Sequence, residues 1–301
     1  MARYVEDKKR FHVGAAIGYF LLSLSPLFLF FAVQIIAAFL VMMSFTAMFI
    51  IGVLVKFQDI PFDSEVLMEQ LMTVFQDNIM ATSLIYQVIA LAIFGVWYYL
   101  AWGQKKDNTV KKLTAKSIGK IIALGVFFEL LTSSILAIVE MYFPSIIEAY
   151  EQLMEEAGLN EISIPVALAA IIMAPIVEEL AFRGVTMRLA LHITGKNDFR
   201  DNATFWIANV LQALAFGIGH LNLVQGCYAF ALGIVMGCVI RKYKTIYASM
   251  ILHAVFNFSG TILAAILSFV PYADTLLGNL IIIMLSGMAC FAVFLTIRKD
   301  E

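Results

Sequence analysis

Charge is scarce in this sequence. Only 14% of its 301 residues are Asp, Glu, Lys or Arg, whereas 62% are hydrophobic. Soluble domains carry about 25% charged and about 45–50% apolar residues, and one soluble core of this length cannot hide so large an apolar excess. The net charge of −2 and the short, separated basic clusters exclude an extended nucleic-acid-binding surface. These shortages predict a polytopic protein of the lipid bilayer with no nucleic-acid partner.

Cysteine is also scarce. The three thiols, Cys227, Cys238 and Cys290, lie inside apolar runs without the spacing of a metal site, so we interpret them as packing residues. The sequence has no HExxH zinc motif. It also lacks the two membrane-embedded Asp residues that an aspartyl intramembrane protease needs. We therefore expect neither a metal ion nor another cofactor.

Apolar runs long enough to cross a bilayer recur along the whole chain. The predicted spans are 79–102, 118–141, 164–188, 203–222, 226–240, 246–268 and 279–297, together with the long run 13–55. That run is too long for one upright helix and too short for three crossings. We expect an interfacial or tilted segment up to Ser25–Pro26, a kink at Pro26, and one span that continues into an external helix. The sequence thus predicts one all-α membrane domain, residues 1–301, with about eight transmembrane helices.

Positive charges orient these spans. If the spans alternate, the basic clusters all fall on one side, and only Lys56 falls on the other. The positive-inside rule then places both termini of a multi-pass cell-membrane protein in the cytoplasm. The opposite loops are acidic and contain helical patterns at 64–76, after a capping Asp63 or Ser64, and at 145–157, ended by Gly158.

Ionisable residues at membrane depth are costly and mark candidate functional sites. In APIVEELAFRGV, Glu179 and Arg183 stand four residues apart and can neutralise each other on one helix face. Glu178 is turned about 100° away and keeps a free carboxylate. Pro175 removes a backbone hydrogen bond close to these acids. Glu129, in FFELL, is a rival acid with no motif around it.

Two further segments supply neutral or titratable polar groups. FGIGHLNL places His220 after two glycines that permit close backbone approach or a break in the helix. HAVFN places His253 and Asn257 on one helix face, one turn apart. A carboxylate and a histidine can hold and deprotonate a water molecule. A histidine and an asparagine can stabilise an oxyanion. Together these groups suffice for peptide-bond hydrolysis without metal, serine or cysteine.

EELAFR, FGIGH and HAVFN, in this order, resemble the EExxxR, FxxxH and HxxxN motifs of the CPBP family, whose helices would cover about 164–268. The family takes in type II CAAX prenyl endopeptidases and bacteriocin-processing or immunity proteins, also called the Abi family. The resemblance implies an intramembrane glutamic endopeptidase on a bundle of eight helices. It implies Glu178 as the base that activates water, His220 as its partner on that water, and His253 and Asn257 as the oxyanion hole. Glu179 and Arg183 match supporting positions, and Asn222 either supports the site or only caps a helix.

Other functions stay open at this point. Two histidines with a glutamate could bind zinc, and Ser259–Gly260 could offer a serine nucleophile, although nothing pairs with it. The polar cluster could instead line a transporter, or belong to a scaffold, immunity or regulatory protein without proteolysis. For the enzyme, we expect a membrane-associated or peptide substrate cut near the cytoplasmic face. That location requires the 203–222 segment to lie partly at the cytoplasmic surface or to be tilted, because His220 falls late in an outward-going span.

Overall fold

The computed structural model describes residues 13–56, 65, 68–69, 72–73, 78–103, 113–159, 163–267 and 269–299. Nine helices can be bounded within this part of the chain: α1 (Val13–Lys56), α2 (Ile79–Tyr98), α3 (Ala115–Tyr142), α4 (Pro144–Glu156), α5 (Ile164–Ala190), α6 (Asn202–Gly219), α7 (Leu223–Tyr243), α8 (Ile246–Leu267) and α9 (Leu276–Lys299). A π-helical turn, Tyr99–Gly103, extends α2. No β-strand occurs among the described residues, and the predicted all-α membrane bundle is confirmed.

Seven of these helices are long and apolar enough to cross a membrane: α1, α2, α3, α5, α7, α8 and α9. The eighth predicted span, 203–222, is present as α6 but is not among the seven. Its polar residues Asn209 and Gln212 are fully buried and turned toward α7. The Asn209 amide donates to the Ile234 carbonyl, and the Gln212 amide donates to the Gly233 carbonyl. α6 therefore turns its polar face toward α7, while apolar residues such as Trp206, Leu214 and Ile218 are exposed on its other face.

The first apolar run forms one uninterrupted helix. α1 has 44 residues and contains Pro26, which gives it a length of about 66 Å at 1.5 Å per residue, twice a bilayer core. Pro26 cannot donate to the Leu22 carbonyl, and the Ser25 hydroxyl donates to that carbonyl at 2.6 Å instead. The helix thus continues through Pro26 and is not divided there into the expected interfacial segment and separate span. A bend at Pro26 stays a prediction.

The predicted helix at 145–157 is confirmed as α4, which ends at Glu156. Gly158 adopts a left-handed conformation (φ 70°), and its N–H donates to the Glu155 carbonyl. Most of the helix predicted at 64–76, including its capping Asp63 or Ser64, lies outside the described residues.

Basic residues gather at one end of the bundle. Arg241 donates to the Arg200 carbonyl and to Asn202 Oδ1, and Lys242 donates to the Arg298 carbonyl. These bonds join the start of α6 to the ends of α7 and α9. We call this the basic end. Its assembly agrees with the prediction that these clusters share one side of the membrane.

Glycines bring α6 and α7 into backbone contact. A Cβ at Gly217 would lie 2.6 Å from the Gly226 carbonyl oxygen, and one at Gly237 would overlap the Asn209 side chain. The Gly233–Gly237 pair therefore faces α6 inside the protein. The α6–α7 hairpin owes its close packing to these small residues.

We expect Gly217→Ala to lower the free energy of unfolding by about 1–3 kcal/mol, because the added methyl group meets rigid backbone and must push the hairpin apart. Gly95→Ala is the matched control, since a Cβ at this α2 position meets nothing within 4 Å. Thermal unfolding of both variants in detergent measures the difference. Equal melting temperatures would contradict the packing described for α6 and α7.

Candidate active site

α5, which carries the two adjacent glutamates, alternates between α- and π-helix. It is π-helical over Ala167–Met173, α-helical over Ala174–Glu178 and π-helical again over Glu179–Thr186. Glu178 and Glu179 therefore stand at a junction between the two helix types. Short π-helical stretches are wider than the α-helix and are frequent at functional sites.

Pro175 leaves one backbone carbonyl of α5 without a donor, and Asn257 binds this carbonyl. The Ala174 N–H bonds to the Ala169 carbonyl, five residues back, as in a π-helix. In the same register the partner of the Ala170 carbonyl would be the N–H of Pro175, which a proline lacks. Asn257 of α8 fills this place, with its Nδ2 donating to the Ala170 oxygen at 2.8 Å. Asn257 thereby ties α8 to the wide part of α5.

Glu179 and Arg183 form the ion pair that their spacing predicts. Arg183 Nη1 lies 2.8 Å from Glu179 Oε1, and both side chains are fully buried. His253 Nδ1 lies 3.1 Å from the same oxygen, while His253 Nε2 lies 3.6 Å from Glu178 Oε2. The imidazole therefore stands between the two carboxylates. One guanidinium balances only one of them, and His253 is the polar group that lies between the ion pair and Glu178.

Phe216 joins this cluster to His220. The Arg183 guanidinium lies over its ring, 4.1 Å from the centroid. The His220 and His253 rings both meet it edge to face, with centroids 5.0 and 5.5 Å away. Phe216 and His220 share one face at the end of α6 because they are four residues apart. This packing gives the aromatic position of FGIGH a physical role in orienting both histidines.

Glu178 and His220 meet at one cavity of about 190 Å³, room for about six water molecules at ~30 Å³ each. Phe30, Gln34, Tyr86, Glu178, Phe182, Phe216, Gly219, His220 and Leu221 line it. Neither His253 nor Asn257 is among the described residues that do so. The structure thus places the predicted base and its histidine partner together and sets the predicted oxyanion pair behind them.

The remaining predicted residues lie around this cavity. Asn222 caps α7, where its Oδ1 accepts from the Gln225 N–H at 2.9 Å, and it is not part of the cavity lining given above. Glu129 is buried on α3, accepts a hydrogen bond from Ser133, and lies beside Gly260 of α8. It, too, is absent from the described lining. Within the part of the chain that the structure describes, no three His, Cys, Asp or Glu side chains are placed to hold a metal ion.

Gln34 and Tyr86 are cavity residues that the sequence reasoning missed. They come from α1 and α2, far from the three motifs in sequence, and no pattern around them distinguishes them from other polar residues in apolar helices. Polarity at membrane depth is the one signal in the sequence that could have indicated them.

Comparison with known proteins agrees with the motifs. Residues 160–259 match the family model described as type II CAAX prenyl endopeptidase Rce1-like. No curated protein and no solved structure matches the chain. The matched residues contain all three motifs and every charged side chain of the ion cluster, and a family of this kind indicates membrane protease-type activity. The chain is thus a multi-pass membrane protein whose residues 160–259 are similar to the CPBP or CAAX protease family.

Proposed function

We propose that the protein is an intramembrane glutamic endopeptidase in which Glu178 and His220 activate a water molecule inside the cavity. The observation that carries this proposal is that both side chains line one 190 Å³ space. A carboxylate and an imidazole facing the same water can position it and remove its proton. A membrane-associated or peptide substrate would offer its scissile carbonyl from the open side of this space.

The chemistry needs only these groups and water. Glu178 takes a proton from the water molecule as the water oxygen attacks the peptide carbonyl carbon. This attack forms the new C–O bond and a tetrahedral oxyanion. As the oxyanion collapses, the C–N bond breaks and the proton passes from Glu178 to the leaving amine. The products are a carboxylic acid and an amine, and the enzyme returns to its starting state.

The cluster behind the cavity supports the base. Glu179 is held by Arg183 and by His253, and His253 in turn faces Glu178. This arrangement fixes the orientation of the acid pair and gives the Glu178 carboxylate a nearby imidazole. The motif-based oxyanion role of His253 and Asn257 stays a prediction. As placed, the His253 ring nitrogens face carboxylates, and an Asn257 N–H bonds to Ala170.

The depth of the cavity bears on the side at which cleavage takes place. α6 begins at the basic end and its 18 residues span about 27 Å before His220, close to the thickness of a bilayer core. On α8, however, which starts directly after α7, His253 lies only seven residues or about 11 Å from the basic end, and it faces Glu178 at 3.6 Å. We therefore retain the charge-based orientation and propose that the α6–α7 hairpin is tilted and that the peptide bond is cut in the half of the membrane nearer the basic end, toward the cytoplasmic face.

Cysteine labelling tests this placement. Leu221 lines the cavity and is 76% exposed. In a variant without its three native thiols, we expect Leu221→Cys, like Asp198→Cys near the basic end, to react with a membrane-impermeant maleimide only after the cells are opened. Labelling of Leu221→Cys from outside intact cells would show that the cavity faces the external side.

Proteolysis itself is tested with purified protein and a quenched peptide library in detergent. We expect the wild type to cleave in the presence of a chelator. His220→Ala should lose about 10²–10⁴-fold in rate, the typical contribution of a general acid–base partner. Cleavage lost with the chelator would indicate a metal. No cleavage across the library would overturn the protease proposal in favour of a scaffold, immunity or transport role.

A further inference from the structure

The wall of the Glu178 cavity carries two further hydrogen-bond donors, which come from α1 and α2. Tyr86 of α2 contributes a phenol, and Gln34 of α1 contributes a carboxamide. Both side chains line the same cavity as Glu178 and His220. Both residues lie outside the matched range 160–259.

These donors line the cavity in which charge appears during the proposed reaction. When Glu178 accepts the water proton, negative charge moves from its carboxylate to the oxygen of the attacked carbonyl, within the same small cavity. Tyr and Gln side chains can stabilise such an oxyanion when they are held in place beforehand. His253 and Asn257, whose motif-based oxyanion role stays a prediction, are not among the described residues that line this cavity.

The packing around Tyr86 holds it in place. Phe30 is 4% exposed and meets the Tyr86 ring edge to face, with centroids 6.2 Å apart. The same phenylalanine packs against Phe182, at 5.7 Å, on the motif-bearing helix α5. Through this aromatic contact, the position of α2 is tied to the helix that carries Glu178.

We propose that Tyr86 and Gln34 form the oxyanion-binding wall of the cavity, where the Tyr86 hydroxyl and a Gln34 N–H donate to the tetrahedral intermediate. This inference rests on the proposed peptidase function and assigns a catalytic role to α1 and α2. Interactions made mainly with the transition state change kcat much more than KM.

The test compares Tyr86→Phe and Gln34→Leu with the wild type on a peptide that the wild type cleaves. Each variant is expected to lower kcat by about 10²–10³-fold, the usual effect of removing one oxyanion donor, with KM changed less than about threefold. Tyr228→Phe is the matched control, because its hydroxyl bonds to Tyr150 and it is not among the described cavity residues. It should keep the wild-type kcat.

Contrary results separate this inference from the proposed function. If the wild type cleaves and Tyr86→Phe and Gln34→Leu keep their kcat, the wall plays no catalytic part and the inference is wrong. A rise in KM with unchanged kcat would reduce the wall to substrate binding and also overturn it. Melting temperatures within a few degrees of wild type exclude loss of fold as the cause. Absence of wild-type cleavage removes the peptidase proposal and this inference with it.

Discussion

Glu178→Gln is expected to lower kcat/KM by about 10³–10⁴-fold, toward the upper end of what general-base catalysis supplies. The carboxamide keeps the size and shape of the carboxylate but cannot take a proton from water. Because Glu178 lines the cavity and lies at the edge of the ion cluster, loss of its charge leaves the Glu179–Arg183 pair intact. Initial rates on a cleaved peptide, at equal amounts of folded protein, measure the effect.

Glu129→Gln is the control for this result. Glu129 is also a buried glutamate at membrane depth, but it hydrogen-bonds to Ser133 and does not belong to the described cavity lining. We expect this variant to keep kcat/KM within about threefold of wild type, since its carboxyl group takes no part in moving the water proton. A large loss in Glu129→Gln together with an active Glu178→Gln would assign the base to α3 instead of α5.

Arg183→Met is expected to cost about 3–5 kcal/mol of stability, the usual effect of removing one partner from a buried ion pair. The substitution leaves Glu179 fully buried with only His253 to balance it, and it also removes the guanidinium that packs over Phe216. Thermal or denaturant unfolding in detergent measures the loss. Glu179→Gln combined with Arg183→Met should recover part of it, because no uncompensated carboxylate then remains.

An exposed ion pair provides the comparison. Lys196 Nζ lies 2.5 Å from Asp201 Oδ2, but the lysine side chain is 60% exposed. This contact and the Thr204 N–H hold the pKa of the Asp201 carboxyl well below its usual range. Lys196→Met should nevertheless lower the stability much less than Arg183→Met does, because water and salt screen such pairs. Equal losses in Lys196→Met and Arg183→Met would contradict the burial of the Glu179–Arg183 pair.

Helix periodicity explains why much of this site could be predicted from the sequence. Glu179 and Arg183, four residues apart, form the expected ion pair. Glu178 is turned to a different face and lines the cavity. Hydropathy located the spans for a similar reason, since a bilayer core imposes a length of about 20 apolar residues. Both regularities depend only on local geometry and the surrounding solvent.

Contacts between distant helices could not be predicted in this way. The motif spacing suggests a regular α-helix for α5, but α5 is π-helical on both sides of Glu178. The sequence therefore does not predict that the Ala170 carbonyl is free to accept from Asn257. Gln34 and Tyr86 reach the cavity only through the packing of α1 and α2. The depth of His220 depends on α6 running its full length from the basic end, which hydropathy does not determine.

Direct attack by water activated by Glu178 is tested by the fate of the peptide carbonyl group. The wild type cleaves a peptide in the presence of both a chelator and hydroxylamine, and the acyl products are identified. If water activated by Glu178 attacks the carbonyl directly, no acyl-enzyme forms that hydroxylamine could intercept. We expect a rate unaffected by the chelator and a free carboxylic acid as the only acyl product. A hydroxamate product would reveal a covalent intermediate, and a rate abolished by the chelator would reveal a metal. Either result would contradict the proposed role of Glu178.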